Sequence, residues 1–177
     1  MEIILPLFLL ISISFNYMGH RNLVSADNTL IKTQYHNAEV PEACIQCVKS
    51  NPRSQSVDKI GIATIAITCI SNKAMTLESN MTVLALSVHD KDLKLVLQDC
   101  QKELFNAKTN LTTAMDRLKS KDYDQTNYLL NHALQKEFDC KKNVGDLQYT
   151  LPTTVLNDMT IYEELSEVAM RIIDRFL

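Results

Sequence analysis

Residues 90–120 read DKDLKLVLQDCQKELFNAKTNLTTAMDRLKS, with apolar side chains at Leu93, Val96, Leu97, Cys100, Leu104, Ala107, Leu111, Ala114, Met115 and Leu118. Steps of three and four residues trace one stripe along an α-helix; a strand alternating in twos cannot produce them. Cys100 lies inside the stripe, so its side chain points at a neighbouring element. A second amphipathic run, residues 122–142, offers Tyr123, Leu130, Ala133, Leu134, Phe138 and Cys140 as core candidates. If the two helices fold back antiparallel, a Cys100–Cys140 disulfide staples them. Closing a loop of about 40 residues is worth about 4 kcal/mol on the chain-entropy account.

The rest of the chain extends this pattern. Residues 57–74 carry Ile60, Ile62, Ala63, Ile65, Ala66, Ile67, Cys69 and Ile70. Apolar residues surround this helix, which makes it the most buried one. Ser54 is placed as its N-cap after the turn Asn51-Pro52-Arg53. Residues 72–88 are weaker and read as a joining region. Gly145 is expected to cap the helix at 122–142, and Pro152 to open a final one. That last helix has an inner stripe of Val155, Met159, Tyr162, Leu165, Val168, Ala169, Ile172, Ile173 and Phe176. Residues 27–42 form an irregular arm ended by Pro41, and residues 43–49 a helical turn. With only three Gly and four Pro, turns are few. The expected fold is all-α: an up-and-down four-helix bundle with an N-terminal helical arm, stapled by disulfide.

Residues 3–15 are almost wholly apolar but too short to span a bilayer, which takes about 20 residues. They fit the apolar core of a signal peptide, with Val24-Ser25-Ala26 placing cleavage after Ala26. The expected domains are therefore a leader, 1–26, and one helical domain, 27–177. No second apolar run is expected to reach membrane length, so the product should be exported and soluble. The net charge of −3, the lack of tryptophan and the absence of a basic stripe argue against nucleic-acid binding.

Five cysteines in an exported chain invite disulfides. Beyond Cys100 and Cys140, the residues Cys44, Cys47 and Cys69 leave an odd thiol. Cys44–Cys47 would strain a helical turn, and Cys47–Cys69 would tie that turn to the next helix; the pairing stays open. Cys44-x-x-Cys47 lacks the second ligand pair a structural zinc site needs. His36, His89 and His132 are isolated in sequence, and no nucleophile motif or Gly-rich phosphate loop is present. These patterns offer no catalytic residue, metal or cofactor. Asn80-Met81-Thr82 and Asn110-Leu111-Thr112 are N-glycosylation acceptors. Asn80, in the expected joining region, is the more accessible candidate; Asn110 lies mid-helix and faces outward if used.

Cys44-Ile-Gln-Cys-Val-Lys-Ser-Asn-Pro-Arg-Ser54 and Ile60-Gly-Ile-Ala-Thr-Ile-Ala-Ile67 resemble the opening of the plant invertase and pectin methylesterase inhibitor family. Leu97-Gln-Asp-Cys100 resembles the start of its disulfide-bearing helix. Leu118-Lys-Ser-Lys-Asp-Tyr123, with Asn127, Ala133-Leu134 and Cys140, resembles the next. The likeness covers nearly all of residues 28–177 and is greatest to the pollen-allergen-like branch of invertase inhibitors. It implies a secreted apoplastic four-helix bundle with an N-terminal hairpin, which blocks the substrate cleft of a partner enzyme without making or breaking a bond. The partner it implies is pectin methylesterase or acid invertase, with Tyr123 and Asn127 near the contact. Three departures accompany the likeness. The family's hairpin cysteine falls on Tyr35, Asp139 stands where threonine is common, and Lys121-Asp122-Tyr123 replaces an Asp-Pro-Lys-Phe segment of invertase inhibitors. The last of these favours pectin methylesterase. A carrier of an apolar ligand, with residues 72–88 as its loose side, is a competing reading; a small hydrolase is disfavoured by the missing nucleophile motif.

Overall fold

The computed structural model describes residues 42–54 and 57–177. The leader, its cleavage site, most of the arm and Tyr35 lie outside these residues. The helices are α1 (Glu42–Ser50), α2 (Lys59–Ser87), α3 (Lys91–Lys119), α4 (Tyr123–Asp146) and α5 (Thr153–Ile173), followed by a 3₁₀ turn, Asp174–Phe176. There is no strand among the described residues. Each of α2 to α5 packs on the next, and α5 closes back onto α2, so four long helices surround one core. The short helix α1 packs on α2 and α5.

The joining region expected at 72–88 is instead the second half of α2, which runs unbroken for 29 residues. Ala74, Leu77, Met81 and Ala85 continue the buried stripe of Ile67 and Ile70. Thr76 and Thr82 turn their hydroxyls back onto the carbonyls of Asn72 and Glu78. Burial along one face outweighs the weak helix propensity of Ser, Asn and Thr here. Lys73 reaches Asp158 of α5 at 2.7 Å and Lys108 of α3 reaches Glu78 at 3.2 Å, pinning this half from both sides. Its length and apolar content would also let α2 cross a membrane, contrary to the expectation of no second such run. Half of its most apolar window is buried within the bundle.

Other differences are local. Asp58, not Ser54, caps α2: its carboxylate accepts from the Gly61 amide at 2.8 Å. Ser54 is buried in the preceding turn. A Cβ on Gly61 would stand 2.4 Å from the Val57 Cβ, so the chain enters α2 at a spacing only glycine permits. At the far end of α4 the helix passes Gly145 and stops at Asp146. Gln148, at φ 55°, makes the left-handed turn, with its amide on the Gly145 carbonyl at 2.8 Å. Carboxylates cap α3 and α4 as well: Asp90 accepts from Leu93 and Asp122 from Gln125.

Disulfides join Cys100 to Cys140, with Cα atoms 4.9 Å apart, and Cys47 to Cys69, 6.2 Å apart. The first ties α3 to α4 and the second ties α1 to α2. Cys44 keeps its thiol, buried, with its pKa pushed up to about 12 by burial and then by the charge of Glu164. That thiol is inert as a nucleophile.

Phe138, expected in the core, is 39% exposed, and Glu137 takes the inner position at 0%. The spacing explains the exchange. Leu130, Ala133, Leu134, Cys140 and Val144 line the inner face of α4, and position 137 completes their register. Neither carboxylate oxygen of Glu137 has a hydrogen-bond donor. Burial, and then the charge of Glu163, push its pKa up to about 8, against the pull of Lys141. Lys141 is held by Glu163 at 2.6 Å across α4 and α5. Tyr162, buried beside this group, donates its hydroxyl to the Ala133 carbonyl at 3.0 Å, and its pKa is raised by burial and then by Glu137. Glu137 is thus held as a neutral acid, which avoids an unpaired buried charge.

Two outcomes follow for stability. Replacing both Cys100 and Cys140 by serine lowers the unfolding free energy by about 2–4 kcal/mol in urea titrations, and an unchanged midpoint would show that the clamp does not stabilise the fold. The folded state holds the Glu137 proton above the unfolded pKa of roughly 4.3. Its contribution is therefore complete below about pH 4.3 and falls by up to about 1.4 kcal/mol per pH unit until pH passes the folded value of about 8. Urea midpoints for the native chain should drop between pH 5 and 8, and Glu137→Gln should flatten that slope. Parallel pH profiles for the two proteins would contradict this.

Candidate functional site

Three ties cross the seam between α3 and α4. Cys100 meets Cys140, Glu103 meets Lys136 at 2.7 Å, and Asn110 meets His132 at 2.9 Å. Residue numbers rise on α3 as they fall on α4, so the ties fix one antiparallel register.

Tyr123 and Asn127 lie one turn apart at the start of α4, both half-buried. The Tyr123 ring packs against Phe176, with centroids 5.1 Å apart and planes tilted by 43°. Asn127 Nδ2 donates to Asp174 Oδ1, while Asn127 Oδ1 is buried without a partner. The structure therefore brings the two residues together, but beneath the C-terminal 3₁₀ turn. In this conformation they hold the chain end onto α4.

Tyr128 is 59% exposed, more than the other exposed aromatics among the described residues, Phe105 at 51% and Phe138 at 39%. Its ring stacks with His132, with centroids 6.0 Å apart and planes at 30°. Asn110 of α3 reaches across the seam to His132 Nδ1. With the amide nitrogen as donor, Nδ1 is the acceptor and the ring proton sits on Nε2. Asn106 and Thr113 on α3, with Asn131 and Gln135 on α4, extend an exposed band of uncharged side chains, bordered by Asp139, which accepts from Gln135 at 3.0 Å, and by the Glu103–Lys136 pair. The inner apolar stripe by itself does not reveal this ridge. The signal was there: Tyr128, Asn131, His132 and Gln135 recur at three and four residues on the face opposite Leu130, Ala133 and Leu134.

Asn80 does not lie in a loop. It is half-buried on α2, with Nδ2 3.4 Å from Asp158 Oδ2. Asn110 is also half-buried, next to the fully buried Leu111 and the exposed Thr112. Among the described residues no group of three or more His, Cys, Asp and Glu side chains is placed to hold a metal ion. A cleft of 330 Å³ opens between α1, α2 and α5 beside the Cys47–Cys69 bridge, lined by Ala43, Thr76, Ile161 and Leu165 among others. The carrier reading drew on a loose segment at 72–88, and that segment is regular helix.

Residues 29–172 match the family model described as plant invertase/pectin methylesterase inhibitor. The chain is 28% identical over 117 residues to the cell wall / vacuolar inhibitor of fructosidase 2 of Arabidopsis thaliana, an alignment covering 66% of this chain and 65% of that protein, just under two thirds of its length. It is 26% identical over 133 residues to a pectinesterase inhibitor of Actinidia deliciosa, covering 75% of this chain and 72% of the relative. In three dimensions it matches the crystal structure of a pectin methylesterase inhibitor from Arabidopsis thaliana with a TM-score of 0.64 at 20% identity, over 85% of this chain and 98% of that one. A mutant form of a pectin methylesterase inhibitor from Arabidopsis gives a TM-score of 0.68 at 20% identity, over 81% and 95%. Helical, doubly bridged and matched over most of its length, the chain belongs to the plant invertase/pectin methylesterase inhibitor family, whose members are inhibitor proteins and not enzymes.

Proposed function

We propose that this chain is a secreted inhibitor that binds a plant cell-wall carbohydrate-active enzyme, pectin methylesterase in the first instance, and occludes its substrate cleft. The observation that carries the reading is the uncharged ridge of Tyr128, His132 and Asn110, displayed on two helices locked by Cys100–Cys140. Interface centres are depleted in charge and enriched in tyrosine. A surface fixed before encounter loses little conformational entropy on binding. Tyr123 and Asn127 contribute at the edge of the contact, through the C-terminal turn they hold. The chain is exported by its leader, acts in the apoplast and engages its target one to one. It needs no cofactor, nucleic acid or membrane.

The names of its relatives point both ways, one to fructosidase and one to pectinesterase. What favours pectin methylesterase is the segment where invertase inhibitors carry Asp-Pro-Lys-Phe. Here Lys121 adopts φ 63° and Asp122 caps α4, so these residues make the turn itself. Acid invertase is the alternative target. Carriage of an apolar ligand is a further alternative, favoured only by the cleft beside Cys47.

Titrating the purified chain into pectin methylesterase and acid invertase assays tests the reading. Activity of pectin methylesterase should fall to near zero at stoichiometric ratio. Tyr128→Ala should weaken inhibition by about 10- to 100-fold, or about 1.4–2.8 kcal/mol, with an unchanged melting temperature. Inhibition of invertase alone would reassign the target. No effect on either enzyme, with uptake of an apolar dye by the native fold, would replace the inhibitor reading with the carrier.

A further inference from the structure

The acceptor motif at Asn110 falls on the ridge itself, and the motif at Asn80 falls in a helix seam. We infer that Asn110 carries an N-linked glycan in a fraction of the exported population, that this glycan covers the Tyr128–His132 ridge, and that folded molecules carry none on Asn80. The consequence for inhibition rests on the reading proposed above; the placement of the glycan does not.

The two asparagines differ in what a sugar would displace. Asn80 Nδ2 faces Asp158, the carboxylate that also takes Lys73 at 2.7 Å and joins α2 to α5. Lys73 and Asp158 are both mostly covered, with side chains 22% and 19% exposed. A sugar on Asn80 would have to pry apart α2 and α5, which enclose the core. Asn110 Nδ2 faces only His132, which is exposed and stacked on an exposed tyrosine. That ring can swing outward without disturbing a buried side chain, and the flanking Thr109, Thr112 and Thr113 are not buried.

Attachment happens before the helix closes, because Thr112 Oγ1 is turned back onto the Lys108 carbonyl at 3.0 Å once α3 has formed. Asn110 Nδ2 gives up one hydrogen and bonds the anomeric carbon of an N-acetylglucosamine-terminated oligosaccharide. The donor's lipid diphosphate leaves with that proton. One N–H remains on Nδ2, and the sugar projects outward beside Tyr128. A partner enzyme and this glycan cannot occupy the ridge together. Occupancy at Asn110 then sets the fraction of molecules able to inhibit.

The test uses the full chain with its own leader, secreted from a glycosylating yeast host, beside Thr112→Ala, which removes the motif and keeps Asn110. Peptide mass mapping should find hexose-bearing Asn110 and bare Asn80 in the folded product. Diethylpyrocarbonate should acylate His132 several-fold more slowly in the glycosylated form than in Thr112→Ala, with His89 as the unaffected reference. Purified glycoform should inhibit pectin methylesterase at least about tenfold more weakly than Thr112→Ala. A bare Asn110, a glycan on Asn80 of folded protein, or equal His132 reactivity would overturn the inference. Equal inhibition by the two forms would overturn the gating and leave the inhibitor reading intact. If Thr112→Ala inhibits neither enzyme while His132 is still shielded by the glycan, the inhibitor reading fails and the glycan placement stands.

Discussion

The bond between Cys100 and Cys140 fixes the register of α3 against α4, and most of what the surface can do follows from that register. With those Cα atoms 4.9 Å apart, the next turns along bring Glu103 onto Lys136 and Asn110 onto His132. A slip of one residue would move a fully buried leucine or alanine off the inner face of each helix. The inner stripe and the outer ridge are therefore two readings of one constraint. What holds the core also decides that Tyr128 points outward.

The seam between α4 and α5 is built differently. Its central group is an acid with no donor, kept neutral by its surroundings and flanked by the Lys141–Glu163 pair and the Tyr162 hydroxyl. A buried neutral acid is tolerable only while it keeps its proton. The bundle is thereby best suited to the acidic side of neutrality, where Glu137 holds its proton. Covalent linkage on one seam and proton-dependent packing on the next give the two interfaces different sensitivities. Reductant acts on the first and alkali on the second.

Much of this was readable in the chain because long helices repeat their burial pattern many times. The stripe from Leu93 to Leu118 gave α3 its face, and the same logic placed Cys140 opposite Cys100. The second half of α2 was hidden because Ser71, Asn72, Ser79 and Asn80 disfavour helix locally, and only the neighbours packed on Ala74, Leu77 and Met81 restore it. Hydrophobicity alone favours Phe138 for the core, but the register of Leu130, Ala133 and Leu134 puts Glu137 there. Cys47–Cys69 is one of two pairings the sequence leaves open, since nothing local says how α1 lies on α2. The role of Asp58 as cap and Gln148 as the left-handed residue depended on choices among several equally suitable turn residues. Tyr123 and Asn127 fall on α4, as the periodicity expects, but their cover by Asp174 and Phe176 depends on how residues 174–176 lie against α4, which no local pattern shows.

The inhibitor reading requires that the outer face of the clamped α3–α4 pair be where this protein meets its target. Amide hydrogen exchange of the chain, alone and saturated with pectin methylesterase, tests it most directly. Protection should concentrate in residues 106–113 and 128–135, with α1 and the α2–α5 seam unchanged. Protection confined to the cleft at Ala43, Thr76 and Ile161, or none at all at saturating enzyme, would contradict it.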